Sequence, residues 1–171
     1  MPEVGALFRN ALAFGVGAVF LAPGTADPLY RKAIRVSSGA TVVLPFARLA
    51  DWPRDLERLR DAGYTVLALT PRAEAVDIGE LGDRRPPPAR VAVLLGTEGR
   101  GLSAEALAAA DLQVRIPMAP EMDSLNVAAA GAVALHWLSR IKSRASAAGG
   151  ERCDRRADLS VARARRGSRR A

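Results

Sequence analysis

Cysteine is nearly absent. Cys153 stands alone, which excludes an internal disulfide and a cysteine-built zinc cluster. His136 is the only histidine; beside Trp137 on a helical pattern it reads as a packing or interface residue rather than a ligand. Aromatic residues make up 5% of the chain and hydrophobic residues 49%, so a core must be assembled from Ala, Val and Leu. No run approaches the roughly 20 apolar residues of a membrane helix, and no signal-peptide pattern opens the chain. The expectation is a soluble, cytoplasmic protein with no metal and no membrane partner.

Charge of one sign is scarce only in part of the chain. The formal net charge is +7, a value that by itself suggests nucleic acid as a partner. Of 25 basic residues 11 fall within 140–171, against 3 of the 18 acidic ones. That stretch therefore carries +8, and residues 1–139 carry −1. Basicity is a property of the tail.

Along residues 1–142 strand and helix patterns alternate. Val4 to Phe14 has apolar residues at helical spacing and stops at Gly15. "GAVFLAP", "TVVLPF", "YTVLALT", "RVAVLLG" and "LQVRIPM" read as strands, and "DPLYRKAIRVSSG", "DWPRDLERLRDAG" and "SAEALAAAD" as helices. A last helix is predicted from Ser124 to Ile141, and residues 72–89 as an acidic, proline-rich surface loop. Five strands alternating with five helices imply an α/β domain with a mainly parallel sheet and helices on both faces. From Ser143 onward periodicity and large apolar residues are lacking, so residues 143–171 are expected to be a disordered, arginine-rich tail after a domain spanning 1–142.

Ligands of such sheets gather at the carboxyl ends of the strands, and two segments predicted there carry unusual residues. In "LLGTEGRGLS", Gly96, Gly99 and Gly101 allow a sharp turn and close approach of a ligand to bare main chain. The segment fits neither the phosphate loop nor the G-x-G-x-x-G dinucleotide pattern. Glu98 among the glycines would repel phosphate and suits a neutral or cationic ligand. In "RIPMAPEMDSLNVAAAGAVAL", Asp123, Ser124 and Asn126 crowd the mouth of an apolar helix. Capping by Asp123 or Ser124 explains one polar residue well and three poorly.

These two segments resemble the second and third motifs of the SpoU (TrmH-like) branch of the SPOUT RNA methyltransferases. "VGALFRNALAFGVGAVFLAP", residues 4–23, resembles the first motif, and "ADPLYRKAIRVSSGA" its continuation. The resemblance covers about residues 2–142. It implies a C-terminal trefoil knot, S-adenosylmethionine as cofactor, a homodimer, and methyl transfer to a ribose 2′-hydroxyl of tRNA or rRNA. By the same resemblance Thr70, Gly96, Thr97, Gly99, Gly101, Ile116, Met118, Ser124, Leu125 and Asn126 surround the cofactor. Arg9 matches the motif-one arginine, which binds phosphate and stabilises the developing alkoxide. Glu98 matches the motif-two acid, and Ser124 and Asn126 the motif-three polar pair, completing the catalytic set. Each has a plainer alternative: Arg9 suits the exposed face of an amphipathic helix, Glu98 a turn.

Two departures from the family pattern set further expectations. Glu3 stands where members have an asparagine ahead of the arginine, and their preceding first strand is missing here, leaving a sheet edge open. Pro120 replaces a glycine in the knot loop and is expected to alter its path. The tail arginines offer sequence-independent phosphate contacts, or have no role at all. The competing functions are a truncated, catalytically weak or inactive RNA-binding or dimerising remnant of the family, and a small-molecule Rossmann methyltransferase. The latter places its glycine-rich loop near the first strand, not in the second half.

Overall fold

The computed structural model describes residues 3–84, 89–97, 99, 101–149 and 159–163; for 83, 84, 142–149 and 159–163 only the backbone enters the description. Helix α1 (Glu3–Ala13) leads into strand β1 (Ala18–Leu21), α2 (Arg31–Val36), α3 (Ala40–Val43) and β2 (Phe46–Arg48). Then follow α4 (Asp55–Asp61), β3 (Tyr64–Leu69), β4 (Val76–Asp77), a single 3-10 turn (Ile78–Glu80) and α5 (Leu81–Arg84). Strand β5 (Arg90–Leu95), α6 (Ala104–Ala108), β6 (Leu112–Arg115), α7 (Val127–Gly149) and β7 (Leu159–Arg163) complete the order. The strands form one sheet in the order β2-β1-β7-β5-β3-β6-β4, and every pairing is parallel.

Alternation along β5 shows how the sheet is covered. Val91, Val93 and Leu95 join Val19, Leu21 and Val114 in a core sealed by Val4, Leu7, Phe8 and Ala11 of α1 and Ala134, Leu135 and Leu138 of α7. Ala92 and Leu94, one pleat over, pack with Val66 and Ala68 against Leu56 and Leu59 of α4 and Ala106 and Leu107 of α6. Both faces are therefore dry, which is why these strands read as continuous apolar runs. Close approach of α7 depends on Gly131: a side chain there would begin 3.0 Å from Leu95 and 3.1 Å from Leu7. Trp52 and Tyr64 are partly buried against the second cluster. Among the described residues no helix is long and apolar enough to cross a membrane.

The structure departs from the sequence reading in three places. "TVVLPF" is not a strand: Thr41–Val43 close helix α3, and the strand begins at Phe46. Pro45 disfavours helix at the residue before it, and Leu44 is extended (φ −81°, ψ 123°). Val42 and Val43 are exposed at 66% and 69%, so their β-branched character follows no buried strand. The expected loop 72–89 holds β4, its turn and α5, anchored by Ile78 in the core and by Asp77, whose carboxylate accepts from the Gly79 amide at 2.8 Å. The tail, expected to be disordered from Ser143, continues α7 through Gly149 and supplies β7 inside the sheet. Small Ala and Ser residues sustain helix without an amphipathic stripe, and "LSVAR" gains its pairing from neighbours far away in sequence. Residues 150–158 and 164–171, with Cys153, lie outside the described residues.

Candidate functional site

Strands β3, β5 and β6 end side by side, and each runs straight into a loop. The loop after β5 folds back on itself: the amides and carbonyls of Thr97 and Gly101 bond reciprocally, at 3.3 Å and 3.0 Å. Gly96 makes that closure possible, because a Cβ there would lie 2.5 Å from the Gly101 carbonyl carbon. Gly99 (φ +88°) and Gly101 (φ +65°) occupy the left-handed region that side chains disfavour. A Cβ built on either meets nothing within 4 Å, so the main chain is bare on that side. After β3, the Thr70 amide donates to the Val114 carbonyl at 2.9 Å, tying this loop to β6.

Beyond β6, residues 116–126 cross to the start of α7. The Met122 amide donates to the Ala119 carbonyl at 3.0 Å, closing a turn with Pro120 in its second position. Proline is favoured there, so the residue expected to alter the path fits a standard turn. The cap of α7 is Asn126, whose side-chain oxygen accepts from the amides of Ala128 (3.0 Å) and Ala129 (3.3 Å). Capping, expected of Asp123 or Ser124, falls instead to Asn126. Asp123, Ser124 and Leu125 are exposed ahead of it.

The three loops wall one cleft of about 610 Å³, within the range of small-molecule and cofactor sites. Thr70, Gly96, Thr97, Gly99, Gly101, Ile116, Met118, Ser124, Leu125 and Asn126, the residues expected around the cofactor, all line it. Glu98 lies outside the described residues. Arg9 is not in the wall; it is exposed on α1. Its neighbour Asn10 donates its side-chain amide to the Ala128 carbonyl at 2.9 Å, so α1 is fastened to the first turn of α7 one residue from Arg9. His136, exposed on α7, meets the Phe14 ring edge-on at 5.7 Å and does not line the cleft.

Sequence reasoning missed Pro71 and Arg72 after β3, and Leu69, Leu95, Leu102, Leu107, Val127 and Ala130, which make the floor and flank apolar. For Leu69, Pro71, Arg72 and Leu95 the available signal was their position at the carboxyl ends of predicted strands; Leu102, in the loop, and Leu107, Val127 and Ala130, on helices, carried none. Asp123 adds a carboxylate to the wall, and Arg72 an exposed guanidinium 3.9 Å from Glu74. Apolar floor, bare main chain and a carboxylate suit a flat heterocycle carried with a positive centre; among the described residues the wall has no cluster of cations for a polyphosphate.

The model of the SpoU rRNA Methylase family matches residues 2–136. The chain belongs to the SpoU rRNA methylase family. It is 46% identical over 138 residues to an uncharacterized tRNA/rRNA methyltransferase of Mycobacterium tuberculosis, covering 81% of this chain and 48% of that one. It is 31% identical over 136 residues to the 23S rRNA (guanosine(2553)-2′-O)-methyltransferase of Bacillus subtilis, covering 80% and 52%. The AdoMet-bound rRNA methyltransferase from Sinorhizobium meliloti superposes with a TM-score of 0.73 at 31% identity, over 81% of this chain and 51% of the other. This SpoU chain thus spans about half the length of the relatives it matches.

Proposed function

We propose that this SpoU chain is an RNA ribose 2′-O-methyltransferase of tRNA or rRNA that binds S-adenosylmethionine in the cleft between residues 96–101 and 116–126. The observation that carries the reading is the convergence of both loops, with Thr70, on a single cleft at the carboxyl edge of the sheet. The residues present suit the cofactor. Bare main chain at Gly99 and Gly101 leaves room for the adenosine, the apolar floor takes the adenine ring, and Asp123 favours a cationic centre. S-adenosylmethionine would supply a methyl group made electrophilic by its sulfonium.

The chain's own task is to bring a ribose hydroxyl to that methyl. An alcohol oxygen is a weak nucleophile until it is oriented and its proton can leave. Transfer forms a bond from the 2′-oxygen to the methyl carbon, breaks the carbon–sulfur bond, and sends the hydroxyl proton to a substrate phosphate or to water. Arg9, exposed beside the mouth of α7, acts by holding RNA phosphate and offsetting negative charge on the oxygen. Ser124 orients the ribose from the exposed lip, and Asn126 sets the start of the helix behind it. Glu98 stays in the proposal as the acid of the glycine loop.

The same reading includes a trefoil knot formed by the segments around the cleft, a homodimer and a cytoplasmic location. Leu12 of α1 and Val133 and Trp137 of α7 are exposed at 39%, 44% and 38%, and support packing of this helix pair against a second copy. The test is incubation of the full chain with S-adenosylmethionine and total tRNA and rRNA, followed by mass spectrometry of the digested nucleosides. A new 2′-O-methylated nucleoside is expected. Cofactor binding without any methylated product would favour the inactive remnant instead.

A further inference from the structure

Among the described residues β1 and β5 share no ladder; each pairs with β7 instead. Strand β7 thus joins the β2-β1 pair to the β5-β3-β6-β4 group. Its register places Val161 beside Val19 and Val93, Leu159 beside Val91, and Arg163 beside Leu21 and Leu95. Those neighbours belong to the main core, sealed by α1 and α7. Without a strand in this position two edges would open in the middle of a sheet covered on both faces. Each buried backbone group left unpaired there would be costly, so the gap demands an occupant.

That occupant is a segment the family match does not reach, since the match ends at residue 136 and β7 begins at Leu159. It is five residues long, has a β-branched residue at its centre and contains no glycine or proline. Strand β5 runs directly from its β7 pairing at Leu95 into Gly96 and the glycine loop.

We propose that the gap between β1 and β5 is a strand-accepting slot, filled in this chain by its own C-terminal segment 159–163, and that filling it holds the glycine loop in the form the cofactor requires. The second part rests on the reading of the cleft given above; the first does not. The tail then has a structural duty distinct from phosphate binding.

Hydrogen exchange on the unaltered full chain tests the slot without any ligand. Amides of 160–163 should exchange within about tenfold of the rate of those in β5, as members of one cooperative unit. Exchange of 160–163 at the rate of an unstructured peptide would overturn the proposal. Protection that rises with protein concentration would assign the strand to a second copy and overturn the own-chain assignment. In the full chain Val161→Pro removes a backbone donor from a strand paired on both sides. It should speed exchange in β1 and β5 at least about tenfold and weaken S-adenosylmethionine binding by a similar factor, while Val161→Ile, still apolar and β-branched with its backbone donor intact, changes neither. Unaltered exchange in β1 and β5 with Val161→Pro refutes the slot. Faster exchange with full cofactor affinity refutes the coupling to the glycine loop. Absence of S-adenosylmethionine binding by the unaltered chain would count against the cleft reading alone, since the exchange result stands apart from it.

Discussion

Between Gly96 and Gly101 the chain is shaped by the lack of side chains; between Ile116 and Asn126 it is shaped by groups that reach back to the main chain. The first loop closes through its own backbone bonds, and only a bare Cα at Gly96 fits beneath Gly101. The second is pinned by a proline turn at one end and by the Asn126 cap at the other, with Asp123, Ser124 and Leu125 exposed between. The difference teaches how the two walls of one cleft divide their work. A surface made of main chain can lie flat against an adenosine, leaving acid chemistry on this side to Glu98 in the proposed function. A surface presenting side chains can face the sugar that is to be methylated.

Changes at either wall, or outside both, should separate these roles. The largest effect is expected outside both loops: Arg9→Ala should slow methyl transfer by roughly 10²–10³-fold, the loss typical of a transition-state charge stabiliser. Cofactor affinity should stay within about twofold, because Arg9 is not in the cleft wall. Single-turnover transfer of labelled methyl, alongside calorimetry, reads both quantities; equal activity would remove Arg9 from the mechanism. Next, Gly96→Ala should cost about 1–3 kcal/mol of stability through forced overpacking. It should also weaken S-adenosylmethionine at least about tenfold, because the main-chain wall must shift. Denaturant titration and calorimetry check the pair. An unchanged affinity would mean that the loop gives way without consequence.

At the other wall, Asn126→Ala removes the cap on the amides of Ala128 and Ala129 and should cost about 1 kcal/mol, with loss of both cofactor binding and turnover. Asn126→Ser keeps a capping oxygen and should restore stability. If it restores binding as well, Asn126 serves the site only by starting the helix. The smallest effect lies beneath the glycine loop, in α6. There Glu105 has its carboxyl held below the usual range by its own backbone amide and by the Ser103 hydroxyl. A depressed folded-state value gives stability that is present above the unfolded value and lost as pH falls through the folded one. Glu105→Gln should therefore lose a little stability at neutral pH and none below the folded-state value, flattening the acid limb of the stability–pH curve, as thermal melts across that range would show.

Much of this architecture could be read from residues whose physics is local. Alternating apolar runs such as Val91–Leu95 announced strands covered on both faces, and the glycines between 96 and 101 announced bare main chain. What escaped depended on partners distant in the chain. "TVVLPF" has strand composition, but Pro45 sets the boundary and Val42 and Val43 find no sheet to join. "LSVAR" has too little apolar content to predict a strand, yet acquires two parallel neighbours from β1 and β5. At the helix mouth all three polar residues were visible, but their division of labour was not. Which of them caps α7 depends on where the helix begins, and it begins at Val127 rather than Ser124. Arg9 was legible both as a motif residue and as an exposed position on an amphipathic helix, whereas the fastening of α1 through Asn10 to Ala128 joins residues far apart in the chain.

The central claim is that the two loops together form a binding site for S-adenosylmethionine, and titration calorimetry of the full chain tests it most directly. The account predicts saturable binding, with one cofactor per chain, that is at least about tenfold weaker in Gly96→Ala and unchanged within about twofold in Arg9→Ala. A folded chain that takes up no S-adenosylmethionine, or binds it equally well with Gly96 replaced, would contradict it.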